Sequence, residues 1–132
     1  MYLNILSNKE KEDFLELAYY AMSLDGKFKE VEKKMYINFQ SECQMSSYKV
    51  NKQSDISKIY VSLQKSPKKI KKIVLIELLG ILLSDKEYSK EEEDFINLLG
   101  KQFDVQEYQL ARMQRWVEAF NDLISEGFLI IS

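Results

Sequence analysis

The stretch IVLIELLGILLSDKEYSKEEEDFINLLGKQF, residues 73–103, predicts two consecutive helices that meet at a short acidic turn. Its first part is apolar on nearly every side of a helix, and helices of that kind are buried. A short acidic turn follows, and the next segment places an apolar residue at every third or fourth position, as amphipathic helices do. We therefore expect a buried helix over residues 67–83 at the centre of the protein and an amphipathic helix after the turn.

An earlier stretch, FLELAYYAMSLDGKFKEVEKKMYINFQSEC, has the same plan. Asp25 precedes Asp85 by sixty positions, and Glu32 precedes Glu92 by the same number. A length of 132 residues is typical of one domain. We expect a single domain over residues 1–132 in which a helix–acidic turn–helix unit is used twice. Apolar residues coincide at this offset as well: Met35 with Phe95, Phe39 with Leu99 and Cys43 with Phe103.

The remaining patterns predict an all-α helical bundle of about six to seven helices, and no strand pattern competes with it. The two halves are expected at about residues 8–65 and 67–126. Ser89 and Glu92 have the spacing of a capping box, which marks the start of a helix. The predicted helices span about residues 8–24, 29–43, 55–65, 67–83, 89–103 and 105–125.

Two glycines carry further expectations about the helices. Gly80 lies within the central helix, where it would let another helix approach closely. Gly127 is expected to cap the end of the last helix. The apolar residues 128–131 should then fold back onto the domain or onto a partner.

Composition excludes several classes of function. The chain has no histidine, so Ser-His-Asp and Cys-His catalytic sites cannot exist, and a zinc site is not expected. Cys43 is the only cysteine, which rules out a disulfide within the chain, and its apolar surroundings predict a buried thiol. The net charge of −2 provides no overall positive field for nucleic acid. We expect a protein that is not an enzyme.

The expected location is the cytoplasm. The first residues have no basic segment followed by a long apolar run, as a signal peptide would have. The longest apolar run, residues 73–83, is interrupted by Glu77 and is too short to cross a bilayer.

Residues 21–32, AMSLDGKFKEVE, resemble the turn motif of TerB-like domains. This family includes the tellurite-resistance TerB proteins and a related domain at the start of some membrane-anchored DnaJ-like co-chaperones. In the motif, Asp-Gly ends a helix and a Glu follows seven positions after the Asp. Asp25 with Glu32 and Asp85 with Glu92 have this spacing. The chain departs from the pattern at Lys29, where a Ser or Asp cap is usual, and at Lys86, where Gly is preferred.

The resemblance implies an all-helical fold of pseudo-duplicated halves, and it implies no catalytic activity. It also implies a role in a bacterial stress or tellurite response at the inner face of the membrane, with a protein partner. The acidic residues would bind a divalent cation such as Ca²⁺ or Mg²⁺. At matching positions, the implied metal ligands are Asp25, Glu32, Asp85 and Glu92.

The acidic turns also have a purely structural interpretation. Hard cations require several oxygen ligands, and neither turn alone has the full Asp-rich loop of an EF-hand. The two turns could share one site if the halves bring them together. Alternatively, Glu92 completes its capping box, and Asp25 and Asp85 close their turns by accepting bonds from backbone N–H groups. In that case the chain is a structural protein-interaction domain without a metal.

Two surface features allow further contacts. The lysine-rich residues 65–72 are either a solvated face or a dock for an anionic partner or lipid headgroup, which would place the protein at a membrane surface. Tyr19 and Tyr20 are adjacent in a helix, so we expect one of them to be exposed.

Overall fold

The computed structural model of the chain describes residues 1–85 and 87–132, and over these ranges it is helical without strands. The predicted all-α class is therefore confirmed, with six α-helices in the described residues. Lys86, one of the two departures from the TerB-like pattern, lies outside them. The helices are α1 (Asn8–Ser23), α2 (Glu30–Glu42), α3 (Ile56–Gln64), α4 (Lys68–Leu82), α5 (Lys90–Gln102) and α6 (Glu107–Ile131), with short 3-10 helices at Leu3–Ile5 and Gln53–Asp55.

Helix α4 lies at the centre of the bundle, as its sequence predicts. It packs against α1, α2, α5 and α6. Buried side chains occur on all sides of the helix, which explains why its sequence lacks a clear polar face. The buried apolar residues of α4 are Ile70, Ile73, Val74, Leu75, Leu78, Leu79, Ile81 and Leu82.

Helices α2 and α5 have the same local geometry sixty positions apart. Each is 13 residues long. Each ends before a residue in the left-handed conformation, Gln44 with φ 58° and Asp104 with φ 56°. In both cases the next N–H, that of Met45 or Val105, donates to a carbonyl five residues earlier at 2.8 Å, which closes the helix end.

The buried face of α2 differs from the predicted one. The apolar residues Val31, Met35, Phe39 and Cys43 recur at every fourth position, which predicts that Val31 points inward, but Val31 is 38% exposed. The buried face runs instead from Cys43 and Phe39 back through Tyr36 to Glu32, because residues three or four apart lie on one side of a helix. Cys43 is buried, as predicted, and burial raises the pKa of its thiol to about 11.

Helices α5 and α6 approach closely at Gly100. A Cβ atom at this position would overlap the Leu110 side chain, so the contact requires glycine. The expectation of a close helix contact at Gly80 is wrong, since a Cβ there would meet only the tip of the Met35 side chain, at 4.0 Å.

Tyr19 and Tyr20 are both half-buried, so the expectation that one is exposed is wrong. The Tyr19 ring contacts Tyr36 of α2 with centroids 5.8 Å apart, and the Tyr20 ring contacts Phe95 of α5 at 5.5 Å. Different helices therefore cover the two adjacent rings.

Helix α6 continues through Gly127 to Ile131, so the predicted cap at Gly127 and the folding back of residues 128–131 onto the domain are wrong. A glycine inside a helix costs only about 1 kcal/mol relative to alanine, which the surrounding helix formers can offset. Val117 is the last buried residue of α6. Across the described ranges, every helix is too short or too polar to cross a membrane.

Candidate functional site

The two acidic turns meet at the side chain of Lys29, which immediately precedes α2. Its ammonium nitrogen lies 2.8 Å from Asp85 Oδ2 and 3.4 Å from Asp25 Oδ2. It also lies 3.5 Å from the Glu87 carboxylate. The side chains of Lys29, Asp25 and Asp85 are only 13–16% exposed, so these ion pairs are largely shielded from water. One lysine therefore joins the turn before α2 to the turn before α5.

Each aspartate uses one oxygen for its own turn and the other for Lys29. Asp25 Oδ1 accepts a bond from the Lys27 N–H at 3.0 Å, and Asp85 Oδ1 accepts one from the Glu87 N–H at 3.0 Å. These are the turn-closing bonds that the structural interpretation predicts.

Glu32 lies in the first turn of α2 and is fully buried. Neither of its carboxylate oxygens accepts a hydrogen bond from any residue in 1–85 or 87–132. Buried polar groups nearly always have partners, because leaving one unpaired costs about 1–3 kcal/mol. Glu32 is therefore an exception that requires an explanation.

Glu92, the equivalent residue in α5, is also fully buried but is partly satisfied. Its Oε1 accepts a bond from the Ser89 N–H at 2.8 Å, and the Ser89 hydroxyl accepts one from the Glu92 N–H at 3.1 Å. The predicted capping box is thus confirmed. The second oxygen, Oε2, has no hydrogen-bond partner among the described residues.

Glu16 shows how this protein satisfies a buried carboxylate elsewhere. It accepts bonds from the Tyr48 hydroxyl, from the Asn51 and Lys52 N–H groups and from the Gln53 amide. Burial raises the pKa of Glu16, but these bonds outweigh it and leave the pKa below its ordinary value. The contrast with Glu32 shows that burial alone does not explain the unpaired oxygens.

The charges of the cluster shift the pKa values in opposite directions. Burial lowers the pKa of Lys29, but its bonds to Asp85 and Asp25 outweigh that effect and raise the pKa above its ordinary value. Burial raises the pKa of Asp85, and the Lys29 ammonium reverses this and leaves it lowered. The Lys29 ammonium and the Asp85 carboxylate are therefore both charged at neutral pH.

Glu32 and Glu92 have raised pKa values. Burial and the negative charge of Glu92 raise the pKa of Glu32 to about 7, although Lys29 opposes the shift. Burial also raises the pKa of Glu92, against its bonds to Ser89 and the charge of Lys29. These mutual effects show that the four predicted site residues belong to one electrostatic cluster around Lys29.

One ammonium serves four inner carboxyl groups, so ionisation of Glu32 adds a negative charge that Lys29 alone does not offset. Within the described ranges, no three Asp, Glu or Cys side chains are placed around one point that could hold a metal ion. The Lys29 ammonium lies where the two aspartate oxygens converge. We name these residues, Asp25, Lys29, Glu32, Asp85 and Glu92, the carboxylate–lysine cluster.

Sequence reasoning found the four acids of the cluster but missed the role of Lys29. The sequence feature that indicates this role is a lysine at the start of α2. The positive end of the helix dipole disfavours a cation there unless carboxylates are close by. The acidic residues that neighbour Glu32 and Glu92 in the first turns of α2 and α5, Glu30, Glu91 and Glu93, are exposed and lie outside the buried cluster.

Comparison with protein-family models, with characterised proteins and with solved structures gives no match to this chain. The likeness to TerB-like domains therefore rests on the turn residues and their spacing alone.

Proposed function

We propose that the chain is a non-enzymatic, TerB-like module whose carboxylate–lysine cluster binds a divalent cation in competition with the Lys29 ammonium. The observation that carries the proposal is the fully buried Glu32 carboxylate, whose two oxygens have no hydrogen-bond donor in the described parts of the chain. A divalent cation would supply the missing partner for these oxygens.

The chemistry of the donor set suits a hard cation. Ca²⁺ and Mg²⁺ are held by carboxylate oxygens, and several are needed at once. Asp25 and Asp85 would contribute the oxygens that now contact Lys29, while Glu32 and Glu92 would contribute their unpaired ones. Lys29 would have to move away, since its ammonium is close to both aspartates, and the carboxylates would have to move together, since no three of them surround one point in the described residues. The competition predicts weak affinity.

Binding would also depend on pH. The pKa of Glu32 is about 7, so the group is largely protonated below neutrality and must lose a proton before it can hold a cation. Affinity should rise as the pH increases through 7, and binding at lower pH should release protons.

The wider role follows from the TerB-like resemblance. In this proposal the two helix–acidic turn–helix halves are duplicated units, and the cation bridges the turn of one half to that of the other. The module would act through a protein partner in a bacterial stress response of the tellurite type, on the cytoplasmic side of the membrane.

A second candidate is a metal-free protein-interaction domain in which Lys29 is a permanent substitute for the cation. The shielded ion pairs of Lys29 with both aspartates favour this candidate. It assigns the cluster a structural role only, which is to fix the two turns to each other.

Thermal unfolding with and without millimolar Ca²⁺, Mg²⁺ or Mn²⁺ separates the two candidates. A ligand of the native state must raise the melting temperature by mass action. The variants are Asp25→Asn/Asp85→Asn and Lys29→Met, with Glu30→Gln as a control, because Glu30 is exposed on the same turn of α2.

If the wild type and Glu30→Gln respond to a cation, Lys29→Met responds more strongly and the aspartate variant does not, the cation-binding proposal holds. If a cation raises the melting temperature of Lys29→Met alone, the Lys29 ammonium permanently takes the place of a metal ion in the wild type, and the second candidate holds. If no variant responds, the cluster is not a cation site and the proposal is wrong.

A further inference from the structure

The second half of α6 exposes an apolar stripe that the bundle does not cover. The helix has 25 residues, and its last buried side chain is Val117. Residues 118–131 therefore extend about 21 Å beyond that point at a rise of 1.5 Å per residue. Apart from the half-buried Phe120, the large apolar side chains in this segment are 49–79% exposed. Leu123, Ile124, Ile130 and Ile131 lie on one side of the helix and form the stripe, whereas Phe128 borders it and Leu129 points away from it.

The stripe continues into a groove beside the first half of α6. This groove lies between the 3-10 helix at Leu3–Ile5, α4 and α6, and its volume is about 700 Å³. Tyr2, Ile73, Ile76 and Met113 line its apolar floor. Trp116 lines the adjoining part of the groove and is 42% exposed. Because Met113 and Trp116 precede Phe120 and Leu123 by seven residues, the groove and the stripe share one side of α6.

The groove and the stripe carry opposite charges. Lys68, Lys69, Lys72 and Arg112 line the groove. The stripe segment contains Glu118, Asp122 and Glu126, and no lysine or arginine follows Arg115 in the sequence. An interfacial helix on an anionic membrane would instead carry lysine or arginine on its polar face.

We propose that the stripe of one copy of this chain lies in the groove of a second copy, so that two α6 helices pair antiparallel about a twofold axis near Ala119. Such an interface is self-complementary, because each copy contributes one stripe and one groove. The pairing covers the stripe of each copy with the groove of the other. It also places the acidic segment of each copy against the basic groove of the other.

The axis position follows from the charges on α6. Arg112 lies seven residues before Ala119, and Glu126 lies seven residues after it. Fourteen residues are close to four helical turns, so both side chains project from the same side of α6. In an antiparallel pair centred on Ala119, Arg112 of each copy is level with Glu126 of the other copy.

Sedimentation equilibrium of the full chain over a range of concentrations tests the proposal. The expected mass is twice the 15.6 kDa of one chain. Leu123→Glu should make the chain monomeric. Val61→Glu should leave the dimer intact, because Val61 is exposed on α3, away from both surfaces.

Charge reversal tests the direction of pairing. Arg112→Glu and Glu126→Arg should each raise the dissociation constant by about tenfold, since each converts two attractive pairs into repulsive ones. The double variant should restore wild-type affinity. Disulfide cross-linking gives an independent check: Ala119→Cys should link two copies, whereas Ile130→Cys, far from the axis, should not.

A chain that remains monomeric at several hundred micromolar overturns the proposal, including the case in which the monomer binds phosphatidylserine vesicles instead. A dimer that survives Leu123→Glu, or a double charge variant that is no tighter than the single ones, overturns it as well.

Discussion

Replacing Glu32 with glutamine should remove a specific pH dependence from the stability of the protein. The pKa of Glu32 is about 7 in the folded protein, against an ordinary value of 4.5. Between these values the unfolded chain has lost the proton while the folded protein still holds it. The free energy of unfolding therefore falls as the pH rises through this window. A pKa difference of this size corresponds to a loss of about 3 kcal/mol in the free energy of unfolding across the window.

Glutamine has the same shape but cannot ionise, so Glu32→Gln should not show this loss. Urea unfolding in the presence of a chelator at pH 5, 6, 7 and 8 measures the effect. We expect the stability of Glu32→Gln relative to the wild type to increase by about 2 to 3 kcal/mol from pH 5 to pH 8. Glu30→Gln, at an exposed position on the same turn, should follow the wild type at every pH. If the free energies of unfolding of Glu32→Gln and the wild type change in parallel with pH, Glu32 is already ionised in the folded protein. The raised pKa assigned to Glu32 is then wrong.

Other changes test the packing and the buried polar groups. Gly100→Ala should destabilise the protein by about 1–3 kcal/mol, because the new methyl group overlaps Leu110. Gly127→Ala lies where space is open and should stabilise α6 by up to about 1 kcal/mol. Thermal unfolding of the two variants measures the difference. Glu16→Ala should cost about 3 kcal/mol in urea unfolding at pH 7, since it leaves the donors of residues 48–53 unpaired. The pKa of Glu16 is lowered, so the part of this penalty that depends on its charge should shrink as the pH falls from the ordinary carboxyl pKa through the folded pKa. An unchanged penalty at low pH would contradict the assigned bonds.

The form of each acidic turn, though not the meeting of the two, could be predicted from the sequence because it follows from short-range signals. The spacing of Asp25 to Glu32 recurs from Asp85 to Glu92, and a turn followed by a capped helix has similar local geometry wherever it occurs. The buried character of α4 was equally visible, since its sequence lacks a polar face.

Features that depend on contacts between helices were not predictable in the same way. The inward position of Glu32, in place of Val31, depends on which side of α2 faces the bundle. Apolar periodicity alone predicts that Val31 is the inward residue. The side chain of Lys29 reaches Asp85 across two turns that are far apart in sequence. Helix α6 passes Gly127 because a glycine only weakens a helix, so a cap signal alone does not end it.

Calorimetric titration of Ca²⁺ and Mg²⁺ into the wild type and Asp25→Asn/Asp85→Asn measures whether the carboxylate–lysine cluster binds a cation. We expect weak binding of at least one cation to the wild type, tighter at pH 8 than at pH 6 and accompanied by proton release near neutrality, because Glu32 must ionise. The aspartate variant should show no binding. Absence of heat with every cation at both pH values, or equal binding by the wild type and the variant, would contradict the assignment of the carboxylate–lysine cluster as a cation site.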